Sequence, residues 1–136
     1  MDDDCTFCRI VAGDGSVRVV YEDERTVAFL DRRPATTGHT LVAPRVHEEE
    51  LLTTDASATH AVFRTVETVS TALEETLDPD GFSLFHTSGP LVGTVEHAHV
   101  HLVPRFEDDD VSLSLPRDRL TADDGAELAA RIRERL

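Results

Sequence analysis

In the stretch His97-Ala98-His99-Val100-His101-Leu102-Val103, three histidines alternate with small or branched apolar residues, and Pro104 closes the run. Alternation with period two is the pattern of a half-buried strand, whose successive side chains point to opposite faces. It predicts a strand in which His97, His99 and His101 line one face while Ala98, Val100 and Leu102 enter a core. Same-face neighbours along a strand stand roughly 6.5–7 Å apart. Direct contact between the rings is therefore not expected, yet three imidazoles are close enough to serve one bound group. Imidazole ligates divalent metals and also acts as nucleophile or general acid near neutral pH. On this stretch alone both readings are open: a metal site, or a nucleophilic histidine flanked by orienting and proton-carrying neighbours.

The rest of the chain narrows the setting. Its 136 residues suit a single domain built on one core. Hydrophobic residues make up 40% and none of their runs approaches a membrane span, so the chain reads as soluble and globular. Formal charge is −14, and all 13 basic residues are Arg. Binders of nucleic acid or anionic membrane carry a basic footprint, so neither partner is expected. An acidic, lysine-free surface is of the kind found in proteins of salt-loving microorganisms, where salt screens self-repulsion. The opening Met1-Asp2-Asp3-Asp4-Cys5 has neither a basic nor an apolar region, so no secretory signal is read there and a cytoplasmic location is expected.

In chain order, Cys5-Thr6-Phe7-Cys8 supplies a CxxC pair, which in a chain without a secretion signal points to metal binding or redox work more than to a disulfide. By itself it is half of a tetrahedral zinc site, or two buried small hydrophobes. A short helical turn over Arg9 to Ala12 ends at Gly13-Asp14-Gly15. Strand-like runs at Val17 to Tyr21 and Thr26 to Leu30 flank Glu22-Asp23-Glu24-Arg25 and predict a hairpin. Asp31 follows at the strand end. His39 to Pro44 reads as another strand, leading through Arg45-Val46 to His47. Val62, Val66, Val69, Leu73 and Leu77 recur at spacings of three and four, which predicts an amphipathic helix capped near Thr54 or Asp55 and stopped before Pro79. Its many threonines are weak helix formers, so packing must hold it. Phe82 to His86 reads as a strand with Phe82, Leu84 and His86 on one face. The loop from Ser88 to Thr94 then delivers the chain to the histidines. Asp108-Asp109-Asp110 reads as a solvated turn. A last helix, from about Thr121 to Leu136, has Leu128, Ile132 and Leu136 in phase.

These stretches together carry a resemblance. Cys5 to Gly13, Val20-Tyr21-Glu22-Asp23, Ala28-Phe29-Leu30-Asp31, Gly38 to His47 and His97 to Arg105 match, in order and separation, the motifs of the histidine-triad (HIT) nucleotide hydrolases. The chain is similar to that family from Cys5 to about Phe106, with residues from about 107 to 136 as an extension. The resemblance implies an α+β fold: an antiparallel sheet of about five strands with flanking helices. It also implies a homodimer in which sheets join edge to edge across paired long helices, here Ala56 to Leu77. The substrate it implies is a small purine nucleotide derivative: an AMP phosphoramidate, an acyl adenylate or a dinucleoside polyphosphate.

Residue roles are carried over in the same way. His99 becomes the nucleophile that attacks the α-phosphorus and forms a covalent nucleotidyl-histidine, later released by water. His101 holds a phosphate oxygen or the scissile bridge, His39 orients the strand histidines, and Thr94 donates to the leaving group. Asp31 accepts from ribose hydroxyls, with Phe29 and Leu30 beside the base, and His86 falls where a phosphate or leaving-group contact is made. Members with this CxxC opening bind a structural zinc through positions matching Cys5, Cys8, His47 and His97. His97 serves that site only with its ring turned from the nucleophile. No cofactor is required for the chemistry itself. His101, where the nucleotidyltransferase branch has Gln, favours hydrolysis. The chain departs from the pattern in having Val92-Gly93 where Gly-Gln is common, and His86 where Asn or Gln is common. Beside the hydrolase stand two other classes: a nucleotide- or partner-binding module with little turnover, and a dedicated metal-binding protein.

Overall fold

The computed structural model describes residues 5–52, 55–88 and 97–136. Thr94, the Val92-Gly93 pair, the alternative helix cap Thr54 and residues 1–4 lie outside the described residues. Five strands form one antiparallel sheet: β1 (Val19–Glu22), β2 (Thr26–Leu30), β3 (Thr40–Pro44), β4 (Gly81–Phe85) and β5 (Val100–Arg105), in the order β1-β2-β3-β5-β4. Three helices accompany it: α1 (Thr6–Val11), α2 (Ala56–Leu77) and α3 (Ala122–Arg133). The α+β architecture is as the sequence implied.

Register assigns the two faces. Phe29 pairs with Leu41, Leu41 with His101, and His101 with Phe85, so one row of side chains crosses four strands on the same face. Val27, Phe29, Leu41 and Ala43 meet Cys5, Phe7, Cys8 and Ile10 of the N-terminal segment on that side. On the opposite face Ala28, Val42, Val100, Leu102 and Ala98 pack against Val62, Val66 and Val69 of α2. The sheet thus separates a helix-covered core from the face that carries His101.

Helix α2 starts where the Asp55 carboxylate accepts from the Ser57 N–H, and ends at Asp78, which adopts a left-handed conformation before Pro79. Its threonines bond back along the helix, Thr68, Thr71 and Thr76 each donating to the carbonyl four residues earlier. Thr65 reaches inward instead and shares a 2.6 Å hydrogen bond with Thr26 of β2. Gly38, at φ +90°, turns the chain into β3 beside Leu77, Leu73 and Pro104, where a Cβ would come within 2.5 Å of Leu77 Cδ1. That turn sets His39 at the mouth of the strand.

Several boundaries differ from the sequence reading: α1 begins at Thr6 and not at Arg9, β3 at Thr40 and not at His39, and β4 at Gly81 and not at Phe82. The histidine strand begins at Val100, because the Ala98 N–H leaves the ladder to bond the Glu48 carbonyl. It also continues through Pro104 to Arg105. The Pro104 carbonyl accepts from Thr36 on the β3 side. In an extended strand the nitrogen faces the same way, here past the last β3 pair, Thr40↔Leu102, where no N–H is needed. Strand β1 starts at Val19, two residues later than expected, while Val17 packs against the α1 side of the core. His86 falls just beyond β4. Asp109 is not a solvated turn residue: its carboxylate bonds the Arg105 guanidinium at 2.7 Å and the backbone N–H groups of Phe106 and Val111, which hold it well below the usual carboxylate range. Helix α3 keeps its predicted apolar stripe, but none of its residues is buried.

Candidate active site and metal-binding cluster

All three histidines of the run lie on the α1 side of the sheet. Phe7 packs its ring 5.6 Å from that of His97 and 4.8 Å from that of His99, and His101 stacks on Phe85 at 4.5 Å. The rings of His99 and His101 touch edge-to-face at 5.0 Å. This closes the gap expected for neighbours on a regular strand, because His99 precedes the first residue of β5.

Backbone partners determine which nitrogen of each ring carries the proton. A carbonyl can only accept, so His97 Nε2–H donates to Pro44 O at 2.8 Å, and His99 Nδ1–H donates to His97 O at 2.8 Å. An amide N–H can only donate: Ala35 N–H gives its proton to His39 Nδ1 at 3.0 Å. His39 therefore carries hydrogen on Nε2 and donates it to His101 Nδ1 at 3.0 Å. The bare nitrogens are then Nδ1 of His97 and Nε2 of His99, while His101 presents Nε2–H. Burial is the largest cause pushing His39, His97, His99 and His101 below the usual imidazole range, His101 to about 4 with the neighbouring His99 and His39 adding to it. Neutral rings are what these bonds require.

The bare His97 Nδ1 points at two thiols, 3.3 Å from Cys5 Sγ and 3.6 Å from Cys8 Sγ, and His47 Nδ1 lies 3.3 Å from Cys8 Sγ. All four donor atoms lie within 4.8 Å of one another. Tetrahedral zinc with Zn–S near 2.3 Å and Zn–N near 2.0–2.1 Å sets its sulfur and nitrogen ligands about 3.6 Å apart, so these spacings fit. Cys5 caps α1, its sulfur accepting from the Cys8 N–H. This cluster can hold a metal ion.

Asp31, His39 and His101 form a second trio of donor atoms within 4.8 Å of one another, with Asp31 Oδ2 3.6 Å from His39 Nε2. Here the protons stand in the way. Metal binding at His39 Nε2 would drive the ring proton onto Nδ1, against the Ala35 N–H. The trio is built to hold protons, not a cation.

Next to Asp31 a cavity of about 520 Å³ opens between α1 and the sheet, lined by Thr6, Phe7, Ile10, Val17, Phe29, Leu30, Asp31, Arg32, Arg33 and Leu41. Phe29, Leu30 and Asp31 were expected there. Phe7, Ile10 and Leu41 were not, although the period-two pattern of His39 to Pro44 sets Leu41 on the His39 face. His86 stands apart from the cavity lining: its Nδ1 bonds His99 O at 2.9 Å and its Nε2 accepts from Leu51 N–H at 3.4 Å. No helix among the described residues is long and apolar enough to cross a membrane.

The chain is similar to known proteins in sequence and in fold. An adenylylsulfatase, HINT3 of Arabidopsis thaliana, is 33% identical over 140 aligned residues that take in this whole chain and 71% of that protein. A crystal structure of a HIT family protein from Bacillus anthracis superposes with a TM-score of 0.89 at 32% identity, over 100% of this chain and 99% of that one. A zinc-bound histidine-triad family protein from Mycobacterium smegmatis does so with a TM-score of 0.74 at 35% identity, over 96% and 94%. The HIT domain pattern itself matches residues 14–108, from the turn before β1 to the turn after β5. With the histidine run, its sheet and its CxxC cluster in place, the chain belongs to the HIT domain family.

Proposed function

We propose that the protein is a nucleotide hydrolase that cleaves at the α-phosphate of purine nucleotide derivatives through a covalent nucleotidyl group on His99. One observation carries the reading: two adjacent rings in edge contact hold opposite protonation at Nε2, bare on His99 and N–H on His101, beside a nucleoside-sized cavity that ends at a carboxylate. The kinship to an adenylylsulfatase favours an adenylate as the bound half.

The base enters among Phe7, Phe29 and Leu30, and Asp31 accepts from the ribose hydroxyls. The His99 Nε2 lone pair forms the N–P bond as the bond from phosphorus to the leaving group breaks, its electron pair departing with that group. Thr94 is the donor to the leaving atom. Positive charge appears on the His99 ring, and its Nδ1–H, already bonded to His97 O, disperses it. His101 Nε2–H donates to a non-bridging phosphoryl oxygen, with His39 Nε2–H holding that ring in the needed tautomer. Water then attacks phosphorus, the N–P electron pair returns to His99 Nε2, which takes up the proton that water sheds and passes it to solvent, and the nucleoside monophosphate leaves. An anhydride or phosphoramidate is already activated, so positioning and charge placement supply the remaining catalysis.

Cys5, Cys8, His47 and His97 hold a structural zinc, which ties the N-terminal turn to the start of the histidine run and takes no part in the chemistry. The chain works as a homodimer through α2, in a reducing cytoplasm where both thiols stay available to metal. A panel of adenosine phosphoramidate, acyl adenylate and diadenosine polyphosphate tests the activity. AMP release from at least one, abolished in His99→Ala with nucleotide binding retained, is the expected result. Binding without release across the panel would instead leave a nucleotide-binding module.

A further inference from the structure

His86 is half-buried at the end of β4, and the reaction as derived does not use it. Its two ring nitrogens are both taken by backbone. Leu51 N–H can only donate, so Nε2 is the acceptor and the proton sits on Nδ1, where it donates to the His99 carbonyl. The position of that carbonyl matters. Strand β5 pairs with β3 as far as Val42↔Val100 and with β4 as far as Phe85↔His101. His99 therefore lies one residue past the paired residues of β5, on a backbone that no ladder among the described residues holds, and yet the reading above makes it the nucleophile. Its own ring is tethered backwards to His97 O, which leaves its carbonyl as the free handle on the peptide.

We infer that His86 is a positioning residue for the nucleophile: it replaces the missing ladder bond at His99 and ties that peptide to Leu51. Leu51 is itself anchored. Its side chain is 1% exposed in the core against α2, and its carbonyl accepts from Thr59 Oγ1 of that helix at 2.9 Å. A continuous set of bonds thus runs from α2 through Leu51 and the His86 ring to the peptide of His99. With both nitrogens engaged, the ring has none left to offer a nucleotide, so its effect is on the aim of His99 and not on affinity. This inference rests on the assignment of His99 as nucleophile.

Three variants and two readouts test it. His86→Ala removes both bonds. His86→Asn sets an amide nitrogen about where Nδ1 lies and keeps the bond to His99. His86→Gln reaches toward the Nε2 position and keeps only the bond to Leu51. With adenosine phosphoramidate as substrate, a misaimed nucleophile costs up to about a hundredfold in rate. The expected pattern is kcat lowered in His86→Ala and His86→Gln by about ten- to a hundredfold, KM within about twofold of the parent, and kcat largely restored in His86→Asn. If His86→Ala does not fold, the Asn and Gln variants decide. A raised KM with kcat unchanged would make His86 a ligand contact and overturn the inference, as would Asn performing no better than Gln. The second readout is the rate at which an adenylyl group appears on His99. If the parent enzyme shows no label there, the nucleophile assignment falls and takes this inference with it. If the parent labels His99 and His86→Ala does so at the same rate, only the role of His86 falls.

Discussion

The two donor clusters on the α1 side of the sheet each gather possible metal-ligand atoms within 4.8 Å of one another, and they differ in where their protons sit. Beside Cys5, Cys8 and His47, the His97 Nδ1 is bare toward its cluster because Pro44 O takes the ring proton on the other side. Asp31, His39 and His101 bring a proton into theirs because Ala35 N–H occupies the far side of His39. A single backbone group in each case, one acceptor and one donor, separates a cluster that can hold a metal from one that holds a proton. Spacing alone does not distinguish them; the partner of the outer nitrogen does.

Removing metal ligands should give the largest effect and should act on one cluster only. Protein purified without added metal is expected to carry about one zinc per chain, by analogy with closed four-ligand sites. Cys8→Ser should lose it and lower the melting temperature by roughly 10 °C or more, since a ligand at a thousandfold excess over its Kd contributes about 4 kcal/mol. His39→Gln should keep its zinc. Metal content that falls in both variants would erase the distinction between the clusters.

Next in size is Asp31. Its Oδ1 accepts from the Arg33 N–H and its Oδ2 stands 3.6 Å from His39 Nε2, and the carboxylate keeps lone pairs for ribose hydroxyls, so Asp31→Ala should weaken the preference for ribo- over deoxyribonucleotides by roughly 1.5–3 kcal/mol, the worth of a hydrogen bond to a charged group. Competition assays with both sugars measure it, and equal loss for the two would mean a structural carboxylate. His39→Gln should cost about tenfold in kcat, near 1–1.5 kcal/mol for the bond that sets the His101 tautomer, with KM little changed.

The remaining effect is on the pH dependence of stability. His101 is held near 4 in the folded protein against an ordinary 6.5. Between those values the unfolded chain binds more protons at this position, so stability rises with pH there and falls on acidification from about 6.5 toward 4. Comparing melting temperatures of the parent and His101→Gln through that window isolates the group: the parent should lose more on acidification. An identical slope would mean that the ring is not shielded from water.

How much of this could be read beforehand depended on the length of each pattern. Helix α2 spans 22 residues with five apolar positions in phase, and both its ends carry chemical signals, Asp55 and Pro79. The strand from Thr26 to Leu30 appeared with the expected bounds. The alternation from His97 to Val103 placed the side chains on the right faces but missed the strand's start, since a bond from Ala98 to a distant carbonyl decides it. Phe7 and Ile10 escaped as cavity walls because a six-residue helix is too short to show a period. Asp109 escaped because three consecutive aspartates look solvated until Arg105 is seen to reach one of them. The roles of Ala35 and Pro44 had no sequence signal, since they act through backbone atoms that any residue, or in Pro44 even proline, supplies.

The assignment of a bare Nε2 to His99 has one direct test. Enzyme mixed with adenosine phosphoramidate or an acyl adenylate, quenched in base to spare the acid-labile N–P bond, is digested and weighed by mass spectrometry. The expected result is one AMP mass on the peptide containing His99, absent in His99→Gly. A label on another residue, or turnover undiminished in His99→Gly, would contradict it.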